Sequence, residues 1–304
     1  MPVKLQSFSH SGAILRNARV SIGRRRDLGV LPASLFMALF AVIPLLLVFL
    51  WSFYQRHGLW MAPPITLENY EVITSTDRLP VILRTIRVAV VTTGIALVIA
   101  FPAAYFFAYV ANLRAKVILL AAFTVPFIVS PLIRLFALRA MLGRTGIVNL
   151  IAMGLGITRE PIGWLLFTDF SIYLGLLASY LPFSLFPIWL ALEGIDRRLF
   201  EASADLGGKQ WHTFVYVLFP LALPGIFTAS MFMFVSIMGE MAASLILAGA
   251  GKVLIGNMLL NVIDTANFPL ASAISSLVIL FMVFLIAAGE VFFRISSLFT
   301  PFNR

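Results

Sequence analysis

Six runs of mainly apolar residues divide this chain, and no other feature limits its folding as tightly. They lie at about Val30–Phe53, Leu83–Ala111, Val117–Leu142, Phe170–Glu193, Leu221–Ala248 and Pro269–Phe293. A helix rises about 1.5 Å per residue, so about 20 apolar residues cross the roughly 30 Å hydrocarbon core of a bilayer. Lipid offers no partners to backbone N–H and C=O groups, so each run must be helical. The predicted fold class is an all-α membrane protein with six transmembrane helices.

Composition points the same way. Of 304 residues, 61% are hydrophobic and only 12% are charged. A soluble domain carries roughly 25% charged residues. Too little polar surface remains to coat a water-soluble globule, so the lipid membrane is the main solvent. Cysteine is absent, which excludes a disulfide framework, a thiol nucleophile and a cysteine metal site. The net charge of +9 sits in short stretches between the apolar runs. Nucleic-acid binders gather such charge on one polar face, so no nucleic-acid partner is expected.

The basic stretches set a topology. Lys4, Arg16, Arg19 and Arg24–Arg26 precede the first run. That run, from Gly29 to Phe53, exceeds the apolar core of a signal peptide, about 7–15 residues, and no small-residue cleavage site follows it. It reads as a retained span behind a basic cytoplasmic tail, residues 1–28. Arg114, Lys116, Arg197, Arg198, Lys209, Arg294 and Arg304 fall on the same side. Positive charge stays inside, so both termini are expected in the cytoplasm, with the membrane domain over residues 29–294 and a short tail over 295–304. The outer segments are Arg56–Ile82, Gly143–Asp169 and Gly249–Phe268, the second partly structured. Pro44, Pro102, Pro126, Pro131, Pro182, Pro187 and Pro224 fall inside runs. Most are expected to shape helices. The close pair Pro126 and Pro131 is a candidate for opening a helix beside a pathway.

One cytoplasmic loop, residues 195–220, is the most informative segment. Asp196 is a candidate N-cap. Leu199, Ala202, Ser203 and Leu206 recur at helical spacing, and Gly207-Gly208 stops the helix. A second apolar run then leads through Pro220 into the fifth span. The spacing predicts a helix–turn–helix at the membrane surface. Its small, apolar stripe suits either lipid or the groove of another protein.

Glu201-Ala202-Ser203, Gly207 and Pro220 keep the spacing of the EAA motif, and the chain resembles the permeases of bacterial ABC importers. That motif reads Glu-Ala-Ala, three residues, Gly, nine residues, Ile-x-Leu-Pro. Here Ser203, Val217 and Phe219 replace its Ala, Ile and Leu. The resemblance extends over roughly residues 30–290. Thr124-Val-Pro-Phe127, Leu132-Ile-Arg134, Gly146-x-Val-Asn149, Leu181-Pro-Phe183, Leu254-Ile-Gly-Asn257 and Asn69-Tyr70 are similar to the first permease subunit of spermidine/putrescine importers. Members of that branch also carry other small amines, opines and phosphonates.

The resemblance implies a permease-type bundle whose loop is a coupling helix seated on an ATPase. Glu201, Ala202, Ser203, Asp205, Leu206 and Gly207 would form that ATPase-docking contact. It implies as partners a second, homologous permease, two ATPase subunits and a periplasmic binding protein. The site is the bacterial inner membrane. The substrate expected is a polyamine or related small organic amine.

The chain itself is expected to be no enzyme and to bind no cofactor. A phosphate-binding loop needs Gly-x-x-x-x-Gly-Lys-Ser/Thr, whereas Gly251-Lys252 is followed by Val253 and preceded by no glycine at the right spacing. ATP and Mg would belong to the partner ATPase. His10, His57 and His212 show neither metal nor nucleophile spacing. A carrier driven by an ion gradient would be expected to show intramembrane acids and internal repeats, and a plain membrane scaffold would need no docking motif.

Ionisable groups at membrane depth are costly and default to functional candidates. Glu240 is the sharpest. It either faces the pathway and attracts a cationic amine, or makes a buried contact to a neighbouring helix or to the second permease. Polyamine permeases tend to carry an acid a few residues on, where this chain has Leu245. Arg134 would line the pathway or brace an outer loop. Asp264 and Asp169 lie near the outer surface, where they would meet solvent, substrate or the binding protein. Tyr180 could stack on a ligand ammonium.

Overall fold

A computed structural model describes residues 32, 34–58, 60–62, 65–75, 77–249 and 251–299. The basic tail expected over residues 1–28 lies outside the described residues. Helix α1 spans Ser34–Trp51, followed by a hairpin of β1 (Gln55–His57) and β2 (Trp60–Ala62) with Arg56 opposite Met61. Then come α2 (Glu68–Ser75), α3 (Arg78–Val110), α4 (Leu113–Ile128), α5 (Pro131–Leu142) and α6 (Ile147–Gly154). Next are α7 (Asp169–Glu193), α8 (Arg198–Asp205), α9 (Gln210–Met238), α10 (Ala242–Leu247), α11 (Ile255–Asp264) and α12 (Phe268–Phe299). The fold is helical as expected. The hairpin, α2 and α11 are additions in segments that read as loops, and α12 runs past the expected domain end at residue 294.

Among the described residues, six helical stretches are long and apolar enough to cross a membrane; the third is Pro131–Gly154. Packing places the third crossing differently. At one end of α7, Lys116 of α4 pairs with Glu193. At the other end, the Arg139 guanidinium of α5 lies over the ring of Phe167. Together α4 and α5 therefore cover the whole length of α7, and α6 is an extension beyond it. The crossing expected at Val117–Leu142 exists, but it is not one helix. Val129 and Ser130 are extended, at ψ 133° and 132°. Pro131 forces this at Ser130, because its ring crowds a helical conformation in the residue before it.

The fifth expected run is also broken. Helix α9 begins at Gln210, ends at Met238, and leaves Gly239–Met241 as a bend before α10. The run Leu221–Ala248 carries one charged residue, Glu240, among mainly apolar ones, so hydropathy alone does not register the bend.

The core is a trio: α7 packs most extensively on α9 and α3, which also pack on each other. At Gly225 of α9, α7 packs close against the backbone. A Cβ there would meet the Ala191 Cβ at 2.3 Å and the Pro187 carbonyl oxygen at 2.8 Å. Small residues permit such close crossings in membranes, where packing replaces the hydrophobic drive. Two buried clusters divide α7 near Pro182. Ile172 and Leu176 belong to one with Met233 and Leu247, and Leu185, Ile188 and Leu192 to the other with Leu218 and Ala222.

The prolines have local consequences. In α1 and α9 a π-turn, Ala38–Val42 and Phe214–Leu218, ends two residues before Pro44 and Pro220. A proline ring crowds the carbonyl four residues back, and a wider turn relieves it. Polar residues brace the bends. Asn69 donates to the Ser52 and Tyr54 carbonyls at 2.9 and 2.8 Å. Asn149 donates to the Gly143 carbonyl and accepts from the Ile162 N–H. Asn257 donates to the Met241 carbonyl at 3.1 Å, inside the α9–α10 bend.

Candidate functional site

The loop from 195 to 220 folds as a helix–turn–helix. The Asp196 carboxylate accepts the Arg198 N–H at 3.0 Å, which satisfies one open donor at the start of α8. The far end closes in a Schellman turn: the Gly207 N–H reaches the Ala204 carbonyl at 2.8 Å and the Gly208 N–H reaches Ser203 at 2.9 Å. Gly207 takes φ +79°, a left-handed conformation that suits glycine. The hydroxyls of Ser203 and Thr213 lie 2.8 Å apart and fasten α8 to α9.

The expected stripe divides between two faces. Ser203 turns inward, half-buried, beside Thr213. Phe200 is the apolar residue that packs, its ring edge-on to Tyr109 at 5.3 Å. Leu199, Glu201, Ala202, Asp205 and Gly207 are exposed, and Leu206 is 90% exposed. Five of the six docking candidates thus form an unburied patch around a short, doubly capped helix.

Beneath α8 lies a clamp that sequence reasoning did not single out. Both carboxylate oxygens of Glu193 accept from the Lys116 ammonium, at 2.7 and 2.9 Å, and one also accepts from the Trp189 indole at 3.1 Å. Tyr109 donates to the Leu192 carbonyl at 2.7 Å, under the Arg197 guanidinium. The turn before α4 is therefore fixed to the end of α7, directly before α8. An acid closing one helix and a lysine opening another were visible in sequence, but their pairing is long-range.

At membrane depth three candidates come together. Glu240 occupies the α9–α10 bend and is 8% exposed. One carboxylate oxygen accepts the Ala242 and Ala243 N–H groups at 2.6 and 3.0 Å, capping α10; the other accepts from the Tyr180 hydroxyl. Arg134 donates to the carbonyls of Ala178, Ser179 and Val129 at 2.7, 3.3 and 3.0 Å. It braces the α4–α5 break against α7. Asp264 stands apart, exposed at the end of α11, and Asp169 opens α7. In this arrangement both carboxylate oxygens of Glu240 already hold protein donors. Among the described residues, no group of three or more His, Cys, Asp or Glu could hold a metal ion.

A family model described as "binding-protein-dependent transport system inner membrane component" matches residues 96–298. The spermidine/putrescine transport system permease protein PotB of Haemophilus influenzae is 32% identical over 242 residues, 79% of this chain and 84% of that protein. PotB of Escherichia coli is 30% identical over 242 residues, 79% of this chain and 87% of that protein. Among solved structures, a chain of the bacterial alginate ABC transporter, in complex with alginate pentasaccharide-bound periplasmic protein, aligns at TM-score 0.66 and 13% identity. That alignment covers 91% of this chain and 97% of the other, and it shows a shared fold.

Proposed function

The chain belongs to the family of binding-protein-dependent transport system inner membrane components, and from that premise we propose that it is the permease subunit of an ATP-driven importer for a polyamine of the spermidine/putrescine class or a related small organic amine. The observation that carries the substrate class is the 32% identity with a spermidine/putrescine permease over 79% of the chain.

The chain pairs with a second, homologous permease in the inner membrane, and two ATPase subunits dock below. ATP and Mg are held by those subunits. Helix α8 presents Glu201, Ala202, Asp205, Leu206 and Gly207 to them, while Ser203 holds the helix in place. Its double capping supports this role, because a short helix must be stiff to pass on a push. The Lys116–Glu193 clamp couples that push to α4 and α7. The end of the bundle bearing α8 is cytoplasmic, as are both termini; Arg114, Lys116, Arg197, Arg198 and Lys209 gather there. At the opposite face a periplasmic binding protein delivers the substrate.

Uptake tests the reading. Cells lacking this chain and every other polyamine importer should take up labelled putrescine and spermidine only at background, and regain uptake when the chain is restored. Uptake that is unchanged by restoring the chain, with ATPase and binding protein present, overturns the substrate assignment.

A further inference from the structure

Three cations from two separate segments converge on one carboxylate at the end of the bundle opposite α8. Arg84 of α3 pairs with Asp169 at 2.5 Å, Lys252 of the loop before α11 at 3.5 Å, and Arg87 of α3 at 3.9 Å. Asp169 opens α7, and Glu193 closes it just before the docking helix. At about 1.5 Å per residue, a helix of this length holds its ends roughly 37 Å apart. With the ATPase on α8, the cluster lies on the opposite face.

One carboxylate does not balance three cations. The side chain of Arg84 is 20% exposed and lies against Asp169, which accounts for the acid. Arg87 and Lys252 stand farther from Asp169, at 3.9 and 3.5 Å, and their side chains are 62% and 31% exposed. A shallow cavity lined by Pro80, Leu83, Arg84 and Arg87 opens beside them. A tie between helices needs one cation per carboxylate. The surplus positive charge suits a partner of opposite sign, since charges at the rim of an interface steer encounter and set its salt dependence.

We propose that Arg87 and Lys252 form a docking contact for acidic side chains on the substrate-binding protein. The inference rests on reading α8 as the ATPase face, which makes this end the periplasmic one. A polycationic substrate is not the occupant, because the surplus charge repels it. The same repulsion gives the contact a second effect: bare, the cluster opposes entry of a cation, and a docked carboxylate removes that barrier.

The test uses the assembled importer in proteoliposomes with its ATPase and binding protein. ATP hydrolysis is followed as the binding protein is titrated, at low and at high salt. In the double variant R87Q/K252Q the half-saturating concentration should rise about three- to tenfold at low salt. The difference should close at high salt, where charges are screened over a few ångströms. Arg87→Glu should raise it further. Both positions are outside the packed core, and the unfolding midpoint of each variant checks its integrity. A double variant that titrates like the unsubstituted importer at low salt overturns the docking proposal. Failure of the binding protein to stimulate the unsubstituted importer overturns the importer reading itself.

Discussion

The Arg134 guanidinium donates to the Ala178 carbonyl oxygen at 2.7 Å, the acceptor that Pro182 leaves without a helical partner. In a regular helix the N–H four residues on would fill that position, and proline has none. The same guanidinium fills the Val129 carbonyl at the α4–α5 break. One charged side chain thus satisfies the backbone of two interrupted helices, where lipid supplies no substitute. Arg134→Met should lower stability by about 1.5–3 kcal/mol, since backbone acceptors at membrane depth lose a charged donor. Arg134→Lys should recover part of this, because a point donor replaces a fork. Thermal unfolding in lipid nanodiscs reads the loss. Unchanged unfolding with lost transport would instead assign Arg134 to the pathway.

Glu240 and Tyr180 make a second such support. Glu240→Ala should destabilise by about 1–3 kcal/mol, because the Ala242 and Ala243 N–H groups lose their acceptor. Tyr180→Phe should cost less, since it removes a donor and leaves those two bonds intact. The pair of unfolding midpoints gives the order. If Glu240→Gln keeps the midpoint and raises the KM for polyamine uptake several-fold, the carboxylate meets substrate directly.

At Gly225 the constraint is steric. Gly225→Val places a branched side chain against the Ala191 Cβ and the Pro187 carbonyl, and overpacking of this kind costs about 1–3 kcal/mol. The yield of folded protein and its unfolding midpoint should both fall. Adding Ala191→Gly should restore only part of the loss, because the Pro187 carbonyl at 2.8 Å remains. Full restoration would mean that the side-chain clash alone fixes the crossing.

Hydropathy made the crossings legible, because each must bring about 20 apolar residues to lipid. It could not place the bends. Pro131 sits in an apolar run like Pro102, yet one ends a helix and the other does not. The difference lies in Arg134, which donates to the freed carbonyls at the break only because α7 brings Ala178 alongside. Likewise, Gly239-Glu240 reads as part of a span until Ala242 and Ala243 show the carboxylate to be a cap. The docking loop was more legible, because Asp196, Gly207 and Gly208 act on neighbours a few residues away. Ser203 was the exception. As a small residue it suited the exposed stripe, but its hydroxyl found Thr213, ten residues on and in another helix.

That inward turn separates stability from docking in α8. Ser203→Ala removes one neutral hydrogen bond, worth about 0.5–1.5 kcal/mol, and leaves the exposed patch untouched. Gly207→Ala strains the left-handed turn by about 1–2 kcal/mol. Both should lower the unfolding midpoint; Ser203→Ala should only modestly reduce stimulated ATP hydrolysis, whereas Gly207→Ala also alters the exposed patch and should reduce it further. Leu206→Asp should do the reverse. The side chain is 90% exposed, so this chain loses no packing, but a charge enters whatever apolar groove receives it. Stimulated hydrolysis should fall at least about tenfold, equivalent to about 1.4 kcal/mol of docking. Glu201→Lys should act in the same direction by reversing the charge at the contact. ATPase copurification with each variant distinguishes lost docking from lost transmission. Leu206→Asp with full copurification and full stimulation would remove α8 from the ATPase contact and return it to the lipid surface.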